Sequence, residues 1–496
     1  MSLLHHYKNN NAFAVLCNVP VLLLVTVASL DYADKQLLAS SFPVLERTLH
    51  LDIQTLGYFS LFADLSYALS VPYWGYLVHK HGIQRVFFLL AIACACWGVA
   101  TIGIAVLGSS ITGQAIMRSL NGFMLGSILP LSQTLLVEMV PPIMRGRGFG
   151  IMAVAEKLAG TFATTSVVYC DGNWQIPYYC LGLMSLFMSC LVYRYLDPSR
   201  RPYPMMIQQQ QYTNSSPQEL EEGGDEKQVK LTMRRIVQRI AQLPAFRCLV
   251  AQGVFGGIPW SMMSFQLLLL DWRGFNKEEI VTIQFTSGLA GTLGGWIGGS
   301  LGDYAAYRLE SRSSSPIHGR IIIALISVIG GIPAYGMFLY STTYTTSLAF
   351  VNVFHVLASW TQTAAIRPIC VDLTRNPSER AQIVAMWTVL EKASAAIFGA
   401  PLVGYMTSHI LHAKQEDTVG SMIVTVGNDE RAWVLARQLF ILSTFFWVLC
   451  AFFWILIAQY TNNIPSLSVD KRYGSSNLKE LEMEDLLSKK ENRVHK

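Results

Sequence analysis

Apolar stretches of about 20 residues or more recur along nearly the whole chain, and each is long enough to cross a hydrocarbon core of roughly 30 Å as a helix. About twelve meet this length, centred on residues 12–40, 54–78, 86–108, 112–137, 147–169, 176–195, 246–270, 278–302, 320–340, 346–371, 381–409 and 433–460. Only 14% of the 496 residues are charged, against roughly 25% in an ordinary soluble domain. So few charges cannot coat soluble domains, and the reading is an all-α integral membrane protein with twelve transmembrane helices.

The sequence MSLLHHYKNNNAF is polar and the apolar run after it exceeds a signal-peptide core, which predicts a retained first span. With the N-terminus in the cytosol, the cytosolic loops carry Lys80, Arg85, Arg145, Arg147, Arg308, Arg312, Arg320, Arg375 and Arg380. The opposite loops hold mainly Arg47, Arg273, Lys277, Lys414 and Arg431, diluted by acids. This bias predicts two cytosolic termini and an even number of spans. Nine cysteines show no CxxC and no His/Cys ligand spacing. They read as reduced apolar residues, although Cys170 and Cys180 flank one short loop and could pair if it faces a lumen. The net charge of +5 is too small and scattered for nucleic acid. No nucleophile–base pair, metal spacing or phosphate loop stands out, so neither an enzyme nor a cofactor is expected.

A polar stretch follows the sixth apolar segment, and its second part, KQVKLTMRRIVQRIAQL, forms a basic amphipathic pattern suited either to an anionic leaflet or to a plain connector. The expected organisation is a cytosolic N-terminus (1–11), a six-helix bundle (12–195), a cytosolic linker (196–245), a second six-helix bundle (246–461) and a cytosolic tail (462–496). The bundles carry an internal repeat. RGRGFGIMAVAEKLAG from Arg145 matches RAQIVAMWTVLEKASA from Arg380, with Glu156-Lys157 and Glu391-Lys392 at one interval from the leading Arg. Gly75-Tyr76-Leu77-Val78-His79 likewise matches Gly299-Ser300-Leu301-Gly302-Asp303. Two parallel six-span repeats joined by a polar linker describe the major facilitator fold.

Local motifs carry the same resemblance. GYLVHKHGIQRV resembles the signature GxxxDRxGRRR of the major facilitator superfamily, keeping Gly75, Gly82 and Arg85 but with His79 and Lys80 in place of the acid and Arg. The second half keeps the acid as Asp303 after Gly299, and Arg118, Gly122, Gly126 and Pro130 match RxxxGxxxGxxxP. DYADKQLLASSFPVL resembles the NYxDRxxxxxxLPxI of the spinster-like branch, with Asp34, Lys35 and Pro43 in register. QGVFGGIPW (Gln252 to Trp260) and GAPLVGY (Gly399 to Tyr405) look spinster-like too. The resemblance implies that Asp34 is protonated and released during transport beside Lys35, and that the cargo is a lysolipid or sphingolipid-like amphiphile. It departs at one place: that branch usually has a Glu in the fourth span, where this chain has Leu125.

Ionisable groups deep in a bilayer cost several kcal/mol unless they pair or line water. At about 1.5 Å per residue, Asp64, Glu156 and Glu391 lie about 15 Å from the ends of their spans, with Arg118 and His355 at comparable depth. Adjacent helical residues point about 100° apart, so Glu156 and Glu391 cannot form compact pairs with Lys157 and Lys392. Either these residues tie neighbouring spans together, or at least one Glu faces a cavity and binds a cationic or zwitterionic head or a proton. Asp64 reads as the functional substitute for the missing Glu, or as an Arg118-paired link between spans two and four. His355 is a secondary candidate, a packing residue or a titrating one.

The expected function is a monomeric, proton-linked secondary transporter that rocks its two halves around a midplane cavity, its partners being the bilayer, protons and an amphiphile. The alternatives are a proton-coupled carrier of a small organic solute and a non-coupled transporter-like receptor or lipid scramblase. Glu482, Leu486 and Leu487 fit an acidic dileucine signal, ExxxLL, which addresses a cytosolic tail to endosomes or lysosomes; without it the plasma membrane is the expected site.

Overall fold

The computed structural model describes residues 18–81, 83–140, 145–196, 244–310, 316–366, 368–369, 377–418 and 427–462. Gly82, the basic stretch before Pro244, Arg367 and the tail with Glu482, Leu486 and Leu487 lie outside the described residues, as do the side chains of Arg145, Arg147 and His79. In order, the α-helices are α1 (Val19–Leu49), α2 (Ile53–His81), α3 (Ile83–Val106), α4 (Ile111–Leu125), α5 (Ile128–Met139), α6 (Arg145–Cys170) and α7 (Gln175–Tyr195). Then follow α8 (Pro244–Met262), α9 (Gln266–Trp272), α10 (Lys277–Glu310), α11 (Pro316–Tyr340), α12 (Tyr344–Ala358), α13 (Pro377–Phe398), α14 (Ala400–Thr418) and α15 (Asn428–Asn462). Among the described residues, seven helical stretches are long and apolar enough to cross a membrane. Large apolar side chains such as Phe162, Leu183, Phe187, Ile329 and Phe445 point outwards, far more than a soluble surface carries. The protein is an integral, multi-pass membrane protein.

Helices dominate because a chain in hydrocarbon must bond its backbone groups within each segment. Their ends are set locally. Pro20 enters the first turn of α1 and His50 closes it in the left-handed conformation, at φ 51°. Asn276 and Glu279 exchange side-chain-to-backbone hydrogen bonds of 2.9 and 3.0 Å ahead of α10, a capping box. Ser110 and Thr343 cap α4 and α12 through the amides of Gly113 and Thr346. A π-turn at Gln362–Ile366 follows α12, and Arg320 donates to the Ala364 carbonyl at 3.1 Å there. The guanidinium thus occupies a carbonyl in a turn whose bonding is irregular.

Within residues 19–195, α1 packs against α6, α3 against α7, and α4 against both α2 and α3. Corresponding pairs recur within residues 244–462: α8 against α13, α11 against α15, and α12 against both α10 and α11. The two sets meet where α2 crosses α13 and α14 and where α6 meets α10.

One end of this junction is closed. A Cβ placed on Gly57 would lie 2.9 Å from the Ala400 carbonyl oxygen, and one on Gly404 2.8 Å from that of Ile53. Glu46 accepts from Arg431 and, at 2.8 Å, from the Trp272 indole, while Asp52 accepts from Ser408 at 2.7 Å.

Candidate functional site

Behind this seal, between the two sets of helices, runs a cavity of about 1090 Å³, with a side compartment of about 420 Å³ reaching among α1, α2 and α4. Lys35, Asp64, Trp260 and Lys392 line both. The main cavity extends past Lys157, His355 and Glu391 towards the start of α6 and the later turns of α10. Asp34 and Arg118 line the side compartment. The fold therefore brings Asp34, Lys35, Asp64, Arg118, Lys157, His355, Glu391 and Lys392 to one connected space. Glu156 is half-buried on α6 and does not line it; of that Glu-Lys pair, the lysine faces the cavity.

The partners differ from the sequence expectations. Asp34 is buried and accepts from the Trp97 indole at 2.7 Å, from Thr101 Oγ1 at 2.7 Å and from Asn121 Nδ2 at 3.1 Å. All three donors are neutral, so this carboxylate is held by dipoles. Lys35 turns away from its neighbour Asp34, as helical geometry demands, and pairs with Asp31 one turn earlier at 2.7 Å. Its ammonium also lies 4.3 Å from the centre of the Tyr67 ring. Arg118 is not bound to Asp64. It donates to Gln114 Oε1 at 2.8 Å and packs over Phe59 and Tyr178. Gln114 is anchored in turn on the Gly108 carbonyl at 2.9 Å.

Asp64 has no ion pair among the described residues and opens onto the cavity. Lys157 donates to the Tyr32 hydroxyl at 2.6 Å, so α6 is tied to α1 through a neutral group. His355 is ringed by Phe354 and Trp260, the latter nearly parallel to it at 6.1 Å. Glu391 is buried against α8, where only the missing side chain of Gly257 leaves room: a Cβ there would lie 2.6 Å from Glu391 Cγ. Leu125 is buried and lines the side compartment. The apolar residue that replaces the usual Glu therefore sits in the same chamber as Asp34.

The motif residues divide. Asp303 pairs with Arg320 at 2.8 Å, and through it is joined to the π-turn. Gly75 meets nothing that a Cβ would touch, Arg85 is exposed and Gly299 is half-buried on α10. Cys170 and Cys180 are free thiols.

The sequence reading overlooked Asp31, although Asp31 and Lys35 show the i, i+4 spacing of a helical ion pair. It also missed Trp97, Thr101, Asn121 and Gln114. Nothing local signals these, since the first three reach Asp34 from 63 to 87 residues away.

Known proteins share this fold. A bacterial homolog of the human lysosomal transporter spinster, crystallised inward-facing and unoccupied, superposes with a TM-score of 0.68 at 15% identity, over 89% of this chain and 96% of that one. The nucleoside transporter NupG superposes with a TM-score of 0.57 at 12% identity, over 87% and 99%. At such identities the likeness is one of fold. Multidrug resistance protein 3 of Bacillus subtilis is 29% identical over 158 residues, 29% of this chain, and the match spans only 29% of that relative's length. The model of the Major Facilitator Superfamily matches residues 24–366. More than half of the sequence thus fits one family, and the fold agrees with it: the chain belongs to the Major Facilitator Superfamily.

Proposed function

We propose that this protein is a proton-linked secondary transporter of a lysolipid or sphingolipid-like amphiphile, working by alternating access. The observation that carries the reading is the connected cavity, whose lining joins an apolar and aromatic wall to Asp64, Lys157, Glu391 and Lys392. A zwitterionic head fits such a mixture of signs, and an acyl chain fits the apolar wall. In this reading both termini are cytosolic, twelve spans form two six-helix bundles, and the sealed end faces away from the cytosol. The spinster-like motifs of the sequence support the cargo class, and the charge bias of the loops supports the orientation.

Asp34 serves as the proton carrier. Its three hydrogen-bond donors are neutral, so no hydrogen-bonded cation among the described residues has to be displaced when it takes up a proton, and the Thr101 hydroxyl can turn from donor to acceptor. Lys157, Glu391 and Lys392 engage the head group. Leu125 favours a second reading, an uncoupled transporter-like receptor or scramblase, since it removes one carboxylate from the chamber beside Asp34.

Transport of a fluorescent lysolipid in proteoliposomes, with and without an imposed pH gradient, separates the two. The coupled reading expects a gradient to accelerate uptake severalfold, and Asp34→Asn to abolish that acceleration while lysolipid binding persists. Equal rates with and without the gradient, together with a silent Asp34→Asn, would establish the uncoupled reading. Uptake of water-soluble metabolites with no lysolipid binding would instead indicate a small-solute carrier.

A further inference from the structure

We propose that Asp64 and Lys392, which stand at one junction of the cavity on opposite sets of helices, take the two poles of a zwitterionic cargo, Asp64 the cationic group and Lys392 the anionic one. The inference rests on the reading of this cavity as the cargo site, and adds which residue meets which pole and which head groups are refused.

Local geometry turns both side chains into the cavity. The backbone of Ala63 lies against α4, where a Cβ on Gly122 would be 2.1 Å from its carbonyl oxygen. Asp64, next along α2, points about 100° away from that contact. The same device recurs on α13: Glu391 lies against Gly257 of α8, and Lys392, about 100° further round, is left for the side on which α13 crosses α2. Asp64 and Lys392 both keep exposed surface and both line the main cavity and the side compartment, so they stand where the two spaces join.

Their charges interact with each other across this junction, yet among the described residues neither makes an ion pair or a hydrogen bond. The neighbouring charges are already engaged. Lys35 is paired with Asp31 at 2.7 Å, and Lys157, further along on α6, donates to the Tyr32 hydroxyl at 2.6 Å. Glu391, the other acid on this wall, is only 6% exposed. What is left open at the junction is one carboxylate on α2 and one ammonium on α13.

Chemistry then selects the cargo. A charge among apolar helices costs free energy until it is paired. An anionic head meets Lys392 but opposes Asp64, an ammonium alone does the reverse, and a neutral group pairs neither. A head with both signs pairs both and, in doing so, ties α2 to α13 across the junction. A free zwitterion and one carried on an acyl chain share this chemistry. Trp260, which lines both spaces and is 43% exposed, continues the junction into an apolar wall that suits the chain.

The test uses the full-length protein in nanodiscs and three probes: 1-palmitoyl-lysophosphatidylcholine, whose head carries both charges; 1-palmitoyl-lysophosphatidylglycerol, whose head is anionic only; and glycerophosphocholine, the zwitterionic head without its chain. Wild type is expected to bind the zwitterionic lysolipid about tenfold tighter than the anionic one, equivalent to about 1.4 kcal/mol, and to bind the chainless head more weakly than the zwitterionic lysolipid. Asp64→Asn should remove the preference, weakening the first probe and tightening the second, whereas Lys392→Gln should weaken both. Equal weakening of both lysolipids by Asp64→Asn, or no preference in wild type, would overturn the assignment of the poles while leaving the cargo site intact. Glycerophosphocholine bound as tightly as the zwitterionic lysolipid, with the same response to Asp64→Asn, would keep the assignment and overturn the lysolipid reading. Binding of none of the three would overturn both. If Lys392→Gln fails to fold, the wild-type comparison and Asp64→Asn still decide.

Discussion

Asp34 gathers three side-chain donors from α3 and α4, and those contacts make separate demands on stability and on the proposed proton transfer. A buried acceptor that loses one donor forfeits about 1–3 kcal/mol. Thr101→Val and Asn121→Leu should therefore each lower stability by about that amount, read as a fall in thermal unfolding temperature in detergent. Asp34→Asn keeps the shape and loses the charge, so its effect should fall on pH dependence of uptake more than on stability. A fully stable Thr101→Val would show that the carboxylate does not need that bond. The sequence alone marks Asp34, because a carboxylate inside an apolar span stands out. It does not mark the indole and amide that hold it, since Trp97 and Asn121 occur in their own helices as ordinary residues and only tertiary packing brings them to α1. Lys35 teaches the converse: its true partner, Asp31, was readable from spacing, yet the adjacent Asp34 drew attention through the family motif.

At the scale of the element, α10 shows what glycine content conceals. Glycines four apart let helices approach closely, and Gly294, Gly298 and Gly302 do so: a Cβ on each would lie 2.2 Å from the Val356 oxygen, 2.6 Å from Trp360 Cα and 2.9 Å from Ala364 Cα. Gly288 and Gly291 line the cavity, and an added Cβ meets nothing within 4 Å. Two of the glycines thus border open cavity and three are packing. Gly294→Ala and Gly298→Ala should lower folded yield and unfolding temperature, whereas Gly288→Ala and Gly291→Ala should leave both unchanged. Thermal unfolding of the four purified variants checks this; equal losses at all four would mean that α10 is rotated from the position described. The helix itself was legible from its apolar run, and the i, i+4 glycine pattern from spacing. Which glycines face a neighbour depends on the rotation of α10 against α12, and no local sequence rule fixes that.

For the molecule as a whole, the alternating-access reading gives the seal between the two sets of helices the task of setting which state is populated. Backbone approaches at Gly57 and Gly404 make the closed end tight, and the Glu46 carboxylate, held by Arg431 and Trp272, makes it specific. Arg431 also lies 4.1 Å from the centre of the Trp272 ring, so one guanidinium joins α1, α9 and α15. In that reading the protein leaves this state during its cycle, so the latch has to be strong enough to close the end and weak enough to release. Shifting a two-state equilibrium from 99:1 to even takes about 2.7 kcal/mol, comparable with losing one partner of a partly buried, hydrogen-bonded charge pair. Glu46→Gln therefore should raise the ratio of open to closed at this end by about ten- to a hundredfold. The measurement is labelling, by a membrane-impermeant maleimide added on the sealed side, of a cysteine placed at Ala39, which lines the cavity. Arg431→Gln should produce the same gain, and the double variant little more, because the two residues act through one contact. Gly404→Trp supplies the limiting case, since its side chain cannot fit against Ile53; it should label fully and transport nothing. Labelling that stays at the wild-type rate in Glu46→Gln but rises in Gly404→Trp would assign the seal to backbone packing alone, with the carboxylate reduced to a surface contact.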